Sequence, residues 1–170
     1  MGFDFKAEYK QGRELSSEQL NKVVLLKMQH WDYSKESHLT WIRENVNDNE
    51  FHLLIHKSEE MLAAYLNIVN VPVFLDSFQS KVLGIGNVCV DKRFAGKGYG
   101  LLLMDIANFI IKQLGKPGIL LCRENLVNFY EKVGWNQYHG DVLLINKPYS
   151  GAVLFTNKTV AKSLKVEKNF

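Results

Sequence analysis

The chain has 170 residues, about the length of one domain, and its 46% hydrophobic and 23% charged residues are the balance of a globular, soluble protein. A net charge of +3 argues against nucleic acid as a partner, and the lysines scatter along the chain apart from a basic stretch over 158–170 that reads as a solvated tail. No apolar run nears the roughly 20 residues of a membrane span, residues 1–10 lack a signal-peptide core, and the two cysteines, Cys89 and Cys122, fit neither zinc spacing nor a disulfide framework. The expectation is a single cytoplasmic domain over 1–170, with no membrane, nucleic acid or metal.

Alternation of Phe3, Phe5, Ala7 and Tyr9 predicts a first strand. Ser16 followed by Gln19 forms a capping-box signature, and Leu20, Val23, Val24, Leu26 and Met28 extend it as a helix. A second helix is expected from Ser37, ending between Asn45 and Asn49. Residues 51–56 and 61–74 then read as an antiparallel pair around a turn at 58–60, with Pro72 requiring an edge, a bulge or an interruption. A strand over 81–91 contains Gly84 and Gly86, where a bulge or a close backbone approach is expected. Residues 98–114 read as a helix stopped by Gly115, and 119–122 as a strand buried on both faces. A short helix over 125–133, closed by Gly134, precedes strands at 135–145 and 152–156. The order implies an α/β (α+β) domain: a mixed, mostly antiparallel sheet of six or seven strands flanked by about four helices.

The most informative segment is 88–101, Val-Cys-Val-Asp-Lys-Arg-Phe-Ala-Gly-Lys-Gly-Tyr-Gly-Leu. A strand ends, a basic stretch follows, and three glycines at alternate positions open a helix. Glycine admits φ > 0 and clears the space a Cβ would fill, so successive amides can turn inward beside the helix N-terminus and hold a pyrophosphate. Other phosphate loops do not fit. Gly98 stands where a P-loop needs Ser or Thr, and a dinucleotide fingerprint would need its third glycine one residue later.

This segment resembles the acyl-CoA-binding motif of the GNAT superfamily of N-acetyltransferases, a strand leading through Q/R-x-x-G-x-G/A into a long helix. Asn128-Phe129-Tyr130-Glu131-Lys132-Val133-Gly134-Trp135 resembles that family's second signature, and the likeness extends over about 51–135. The resemblance implies a GNAT-like fold and acetyl transfer from acetyl-CoA to a primary amine by direct attack. It implies that Val88, Cys89 and Val90 pair with the pantetheine arm and that a backbone N–H of Cys89 or Val90 binds the acyl oxygen. Ala95, Gly96, Lys97, Gly98, Tyr99, Gly100 and Leu101 would form the phosphate loop. Asn128 would contact the cofactor, and Tyr130 would protonate the departing thiolate. The spacing R-x-x-G-x-G fits Arg93, Gly96 and Gly98, but the fuller pattern places Ala95 where the family has Gln or Arg. Backbone amides must then do most of the phosphate binding, with Arg93 or Lys97 supplying charge.

A phenol of pKa about 10 is suited to protonating a thiolate whose thiol has a pKa of about 8.5. Tyr130 also shares its inward helical stripe with Leu126, Phe129 and Val133. The base is open. Family members often have a glutamate where Asn87 stands, so Asn87 positioning a water is set beside His30, His38, His52, His56, Asp76 and His139. Cys89 and Cys122 read as small buried residues and not as nucleophiles. By the resemblance, residues 31–41, with Trp31, Tyr33 and Trp41, lie where the acceptor site is built. The acceptor stays open among small amines, amino sugars such as aminoglycosides and protein amines, and a homodimer stays open as the assembly. The alternative is a catalytically silent CoA-binding sensor or interaction module.

Overall fold

The computed structural model describes residues 4–170; Phe3, expected to begin the first strand, lies outside the described residues. The chain forms two compact units, 1–68 with 87–106 and 69–86 with 107–170. The described residues carry four α-helices and ten strands, more than the six or seven expected.

In the first unit, β1 (Lys6–Gln11) pairs antiparallel with β2 (Phe51–Ser58), which pairs antiparallel with the first half of β3 (Met61–Leu75). Helix α1 (Ser17–Met28) starts where the capping box places it: Ser16 accepts from the Gln19 amide, and Gln19 returns a bond to the Ser16 amide. Helix α2 (Lys35–Asn45) begins two residues before its expected start because Ser34 caps it, accepting from the Ser37 amide. Val23, Val24, Leu53, Leu54, Ile55, Tyr65 and Leu66 are fully buried.

The second unit has the strand order β6-β9-β5-β4-β3-β10-β7-β8. Its members are β4 (Phe78–Val90) as far as Gly86, β5 (Gly118–Cys122), β6 (Asn136–Tyr138), β7 (Asp141–Leu144), β8 (Lys147–Pro148), β9 (Ala152–Phe155) and β10 (Ser163–Val166), with the second half of β3. Two pairs, β4 with β5 and β10 with β7, are parallel. Helix α3 (Tyr99–Leu114) ends at Gly115, and α4 (Val127–Lys132) follows a 3-10 turn at Glu124–Leu126 that was expected to be the first turn of the α-helix.

Three expectations change here. The basic 158–170 stretch is not a solvated tail: it carries β10, whose Leu164 and Val166 are buried, and Phe170 packs over Gly84. A Cβ on Gly84 would stand 2.7 Å from that ring, so the close approach expected there is made by a side chain. The strand expected over 135–145 is cut in two at Gly140, where a Cβ would collide with the Tyr138 hydroxyl and the Lys162 carbonyl. Pro72 acts as the interruption. Its carbonyl accepts from the Glu167 amide at 3.2 Å, it has no N–H to return the bond, and the β3–β10 ladder stops one residue away. One turn is unexpected: Ile145 and Asn146 join β7 to β8, both at positive φ (47° and 60°), a conformation common for asparagine and rare for a β-branched residue.

Candidate active site

Strand β4 pairs with β5 over Leu83–Ile85, and residues 88–90 stand beyond that ladder. Asn87 separates the two stretches at φ 54°, a left-handed conformation that kinks the strand as a bulge does. Its side chain is held from β3, donating from Nδ2 to Asn67 Oδ1 at 2.5 Å. The Asp91 amide donates to the Ala63 carbonyl at 2.8 Å, which anchors the end of the strand.

The loop is then built residue by residue. Asp91 is 2% exposed and caps a 3-10 turn, Lys92–Phe94, by accepting from the Arg93 amide at 2.9 Å. It also accepts Nε and Nη2 of Arg93, both at 2.8 Å, and Nε2 of Gln29 at 2.9 Å. These donors hold its carboxyl far below the usual carboxylate range, the Arg93 guanidinium being the largest cause. Gln29 accepts the Lys92 amide with its other end, at 2.9 Å, and His30 Nε2 donates to the Val90 carbonyl at 2.7 Å. The C-terminus of α1 therefore clamps the strand-to-loop junction at three points. Sequence reading missed Gln29 and Asp91 as loop-builders; Asp followed two residues later by Arg, just after a strand, was the available signal.

Beyond this turn Ala95, Gly96 and Lys97 are exposed, and Gly96 and Gly98 take φ of 72° and 86°. The first i to i−4 bond of α3 runs from the Leu102 amide to the Gly98 carbonyl, so the amides of Gly100 and Leu101 precede it at the positive end of the helix. Tyr99 is buried and packs against Phe94, 5.1 Å between ring centroids. Two donors of Arg93 are taken by Asp91, and Lys92 and Lys97 are exposed basic side chains of the same loop, with Lys97 Nζ 5.8 Å from the Phe94 ring centroid.

In the second unit, α4 carries exposed Asn128 and buried Tyr130, whose ring meets Phe129 edge-on at 5.0 Å. The Tyr130 carbonyl accepts the amides of Val133 and Trp135, each at 3.1 Å, and so closes the helix at Gly134.

Residues 17–135 match the family model described as Acetyltransferase (GNAT) family. The chain belongs to the GNAT acetyltransferase family. It is an acyl-CoA-dependent N-acyltransferase by class. Its fold is similar to that of Escherichia coli YhbS, a GNAT family N-acetyltransferase solved in complex with CoA (TM-score 0.68, 15% identity, 97% of this chain and 91% of that one). It is also similar to an acyl-CoA N-acyltransferase from Pseudomonas aeruginosa (TM-score 0.66, 17% identity, 89% and 98%). The Bacillus subtilis N-acetyltransferase YlbP, solved with coenzyme A, aligns with a TM-score of 0.59 at 16% identity over 88% and 95% of the chains. No curated protein matches the sequence. Among the described residues, no helix is long and apolar enough to cross a membrane.

The side chains weighed as GNAT bases are mostly engaged elsewhere. His30 is bonded to Val90, His38 Nε2 donates to the Trp31 carbonyl at 3.2 Å, and His52 Nδ1 meets the Tyr65 hydroxyl at 2.7 Å. Burial lowers the pKa of His52 to about 4, and it lowers that of His38 and of His56, which sits beside Glu8. Asp76 caps β10 through the amides of Lys162 and Ser163, and His139 is exposed on the second unit. Burial raises both thiols, Cys122 to about 11 and Cys89 further, which disfavours a thiolate nucleophile at either.

Proposed function

We propose that this GNAT protein transfers an acetyl group from acetyl-CoA to a primary amine by direct attack. The single observation carrying this is the loop over 91–101: a turn pinned by Asp91, two glycines at positive φ and open helix-terminal amides. That geometry suits a pyrophosphate, with Ala95, Gly96, Lys97, Gly98, Tyr99, Gly100 and Leu101 around it and Lys97 adding charge. Val88, Cys89 and Val90 stand beyond the β4–β5 ladder and offer backbone groups to the pantetheine arm as an added strand would. Arg93 serves by bracing the turn through Asp91, and the family resemblance gives Asn128 a role in cofactor binding.

In the reaction the amine nitrogen attacks the thioester carbonyl carbon and forms the C–N bond. The oxyanion is met by the amide of Cys89 or Val90. Collapse breaks the C–S bond, and the thiolate takes the Tyr130 hydroxyl proton, which solvent restores. A water accepted by Asn87 Oδ1 removes the proton the amine must lose, since Asn87 Nδ2 is committed to Asn67. The single domain, the cytoplasmic location and the open choice of monomer or homodimer belong to the same reading.

The test is thiol release from acetyl-CoA across a panel of primary amines, with Tyr130→Phe beside the wild type. Loss of about 100-fold in kcat at unchanged acetyl-CoA KM is expected. Thiol release equal in the two proteins removes Tyr130 from the mechanism, and CoA binding without turnover of any amine leaves a silent CoA-binding module in its place.

A further inference from the structure

Helix α1 turns one charged residue into the core. Lys27 continues the buried stripe of Val23 and Val24 and is itself 2% exposed. Its Nζ lies 4.4 Å from the centroid of the Trp41 ring on α2. Around it stand Cys89, a neutral thiol, and His38 and His52, both kept neutral by burial. Among the described residues, no carboxylate pairs with Lys27, and burial pushes its pKa down to about 8. A cation–π contact offsets only part of what it costs to take an ammonium out of water.

A second buried donor lies on the neighbouring strands. His52 is in register with Asn67, and alternation along β3 puts Asn67 on the sheet face of Tyr65, whose hydroxyl meets His52. Asn67 is fully buried; its Oδ1 is taken by Asn87, and its Nδ2 has no partner. An ammonium with no carboxylate partner, that of Lys27, and a buried carboxamide N–H₂ with no acceptor, that of Asn67, thus stand around His52. Buried polar groups are nearly always satisfied, and here both deficits are of acceptors. A carboxylate supplies what is missing: one negative charge for one ammonium, and two oxygens for two donors. Trp41 and Asn87 at the borders of the cluster are half-buried, so the donors lie one side chain below the surface.

We propose that the acceptor amine carries a carboxylate and that Lys27 and Asn67 bind it. The amine's fate rests on the acetyl-transfer reading; the anion site does not. Asn67 also orients Asn87, so substrate recognition and water positioning meet in one hydrogen bond.

The experiment uses amino acids, β-alanine and γ-aminobutyrate, each beside its own carboxamide, as acceptors and as calorimetric ligands of the CoA-loaded full chain. The wild type is expected to favour the acid over the amide at least 30-fold in kcat/KM, mainly through KM. Lys27→Met brings that ratio close to one, and Lys27→Arg keeps part of it. Because Lys27→Met removes an unpaired buried charge, it also raises the melting temperature, whereas loss of a purely structural lysine would lower it. If no amine is acetylated, acetyl transfer fails while acid-selective binding, lost in Lys27→Met, still upholds the anion site. A wild-type chain that binds both twins alike, or neither, overturns the proposal, as does a preference that survives in Lys27→Met.

Discussion

The carboxylate of Asp91 grips the guanidinium of Arg93 through two parallel bonds of 2.8 Å, Nε to Oδ1 and Nη2 to Oδ2. Paired forks of this kind are among the stronger polar contacts in proteins. Arg93 therefore braces the turn that aims the loop amides.

The pair has a consequence in acid. Asp91 is held charged in the folded state far below the ordinary carboxylate pKa of about 3.9. A depressed carboxylate contributes stability that is fully present above its unfolded pKa and is lost as pH falls toward the folded one. Urea midpoints of the wild type should drop between about pH 4 and pH 2, and Asp91→Asn should flatten that part of the curve. At neutral pH the same variant should weaken CoA binding by about tenfold by loosening the turn, an effect of the size of one charge-assisted hydrogen bond.

Gln29 bridges α1 to the loop, donating a hydrogen bond from Nε2 to Asp91 and accepting one at Oε1 from the Lys92 amide. Gln29→Ala should raise the acetyl-CoA KM by about three- to tenfold and leave kcat within about twofold, because it removes positioning and no reacting group. Steady-state kinetics with varied acetyl-CoA reads this directly, and a fall in kcat alone would contradict it.

How much of this was legible in the sequence follows the range of the forces involved. The capping box at Ser16 and Gln19 and the glycine loop are local, and each was readable from spacing alone; the stripe expected on α4 held for Tyr130 but not for Leu126, which is exposed while Val127 is buried. Short strands were not. The 158–170 stretch looked solvated because its lysines outweigh Leu164 and Val166, yet alternation over four residues was enough to complete a sheet. Gly140 cuts a run of β-like residues because of a carbonyl 22 residues away, at Lys162, which no window reveals. In the site, glycine spacing gave the loop, but the grip of Asp91 on Arg93 and the clamp from Gln29 needed the fold. Lys27 was hidden for a similar reason: on α1 it reads as an ordinary helix lysine until the core around it is seen.

Lys27 makes a second pH prediction, in the alkaline range, and removing it has the opposite effect on stability to removing Asp91. Burial lowers Lys27 from 10.5 to about 8, so between those values the unfolded chain holds a proton that the folded one has released. Stability from this group therefore rises as pH climbs from about 8 to 10.5, and below 8 the charged ammonium destabilises by about 3 kcal/mol at most. Lys27→Met should exceed the wild type in stability at pH 7, with the difference shrinking toward pH 10.5. Chemical denaturation of both proteins across that range measures it.

The most direct measurement is a calorimetric titration of CoA into the wild type and into Gly98→Ala. Gly98 sits at φ 86°, where an alanine must strain or move the amides beside it. The expected result is one CoA bound per chain, with binding weakened at least tenfold in Gly98→Ala while far-UV circular dichroism stays unchanged. A wild type that takes up no CoA, or a Gly98→Ala protein that binds it equally well, contradicts the assignment of this loop.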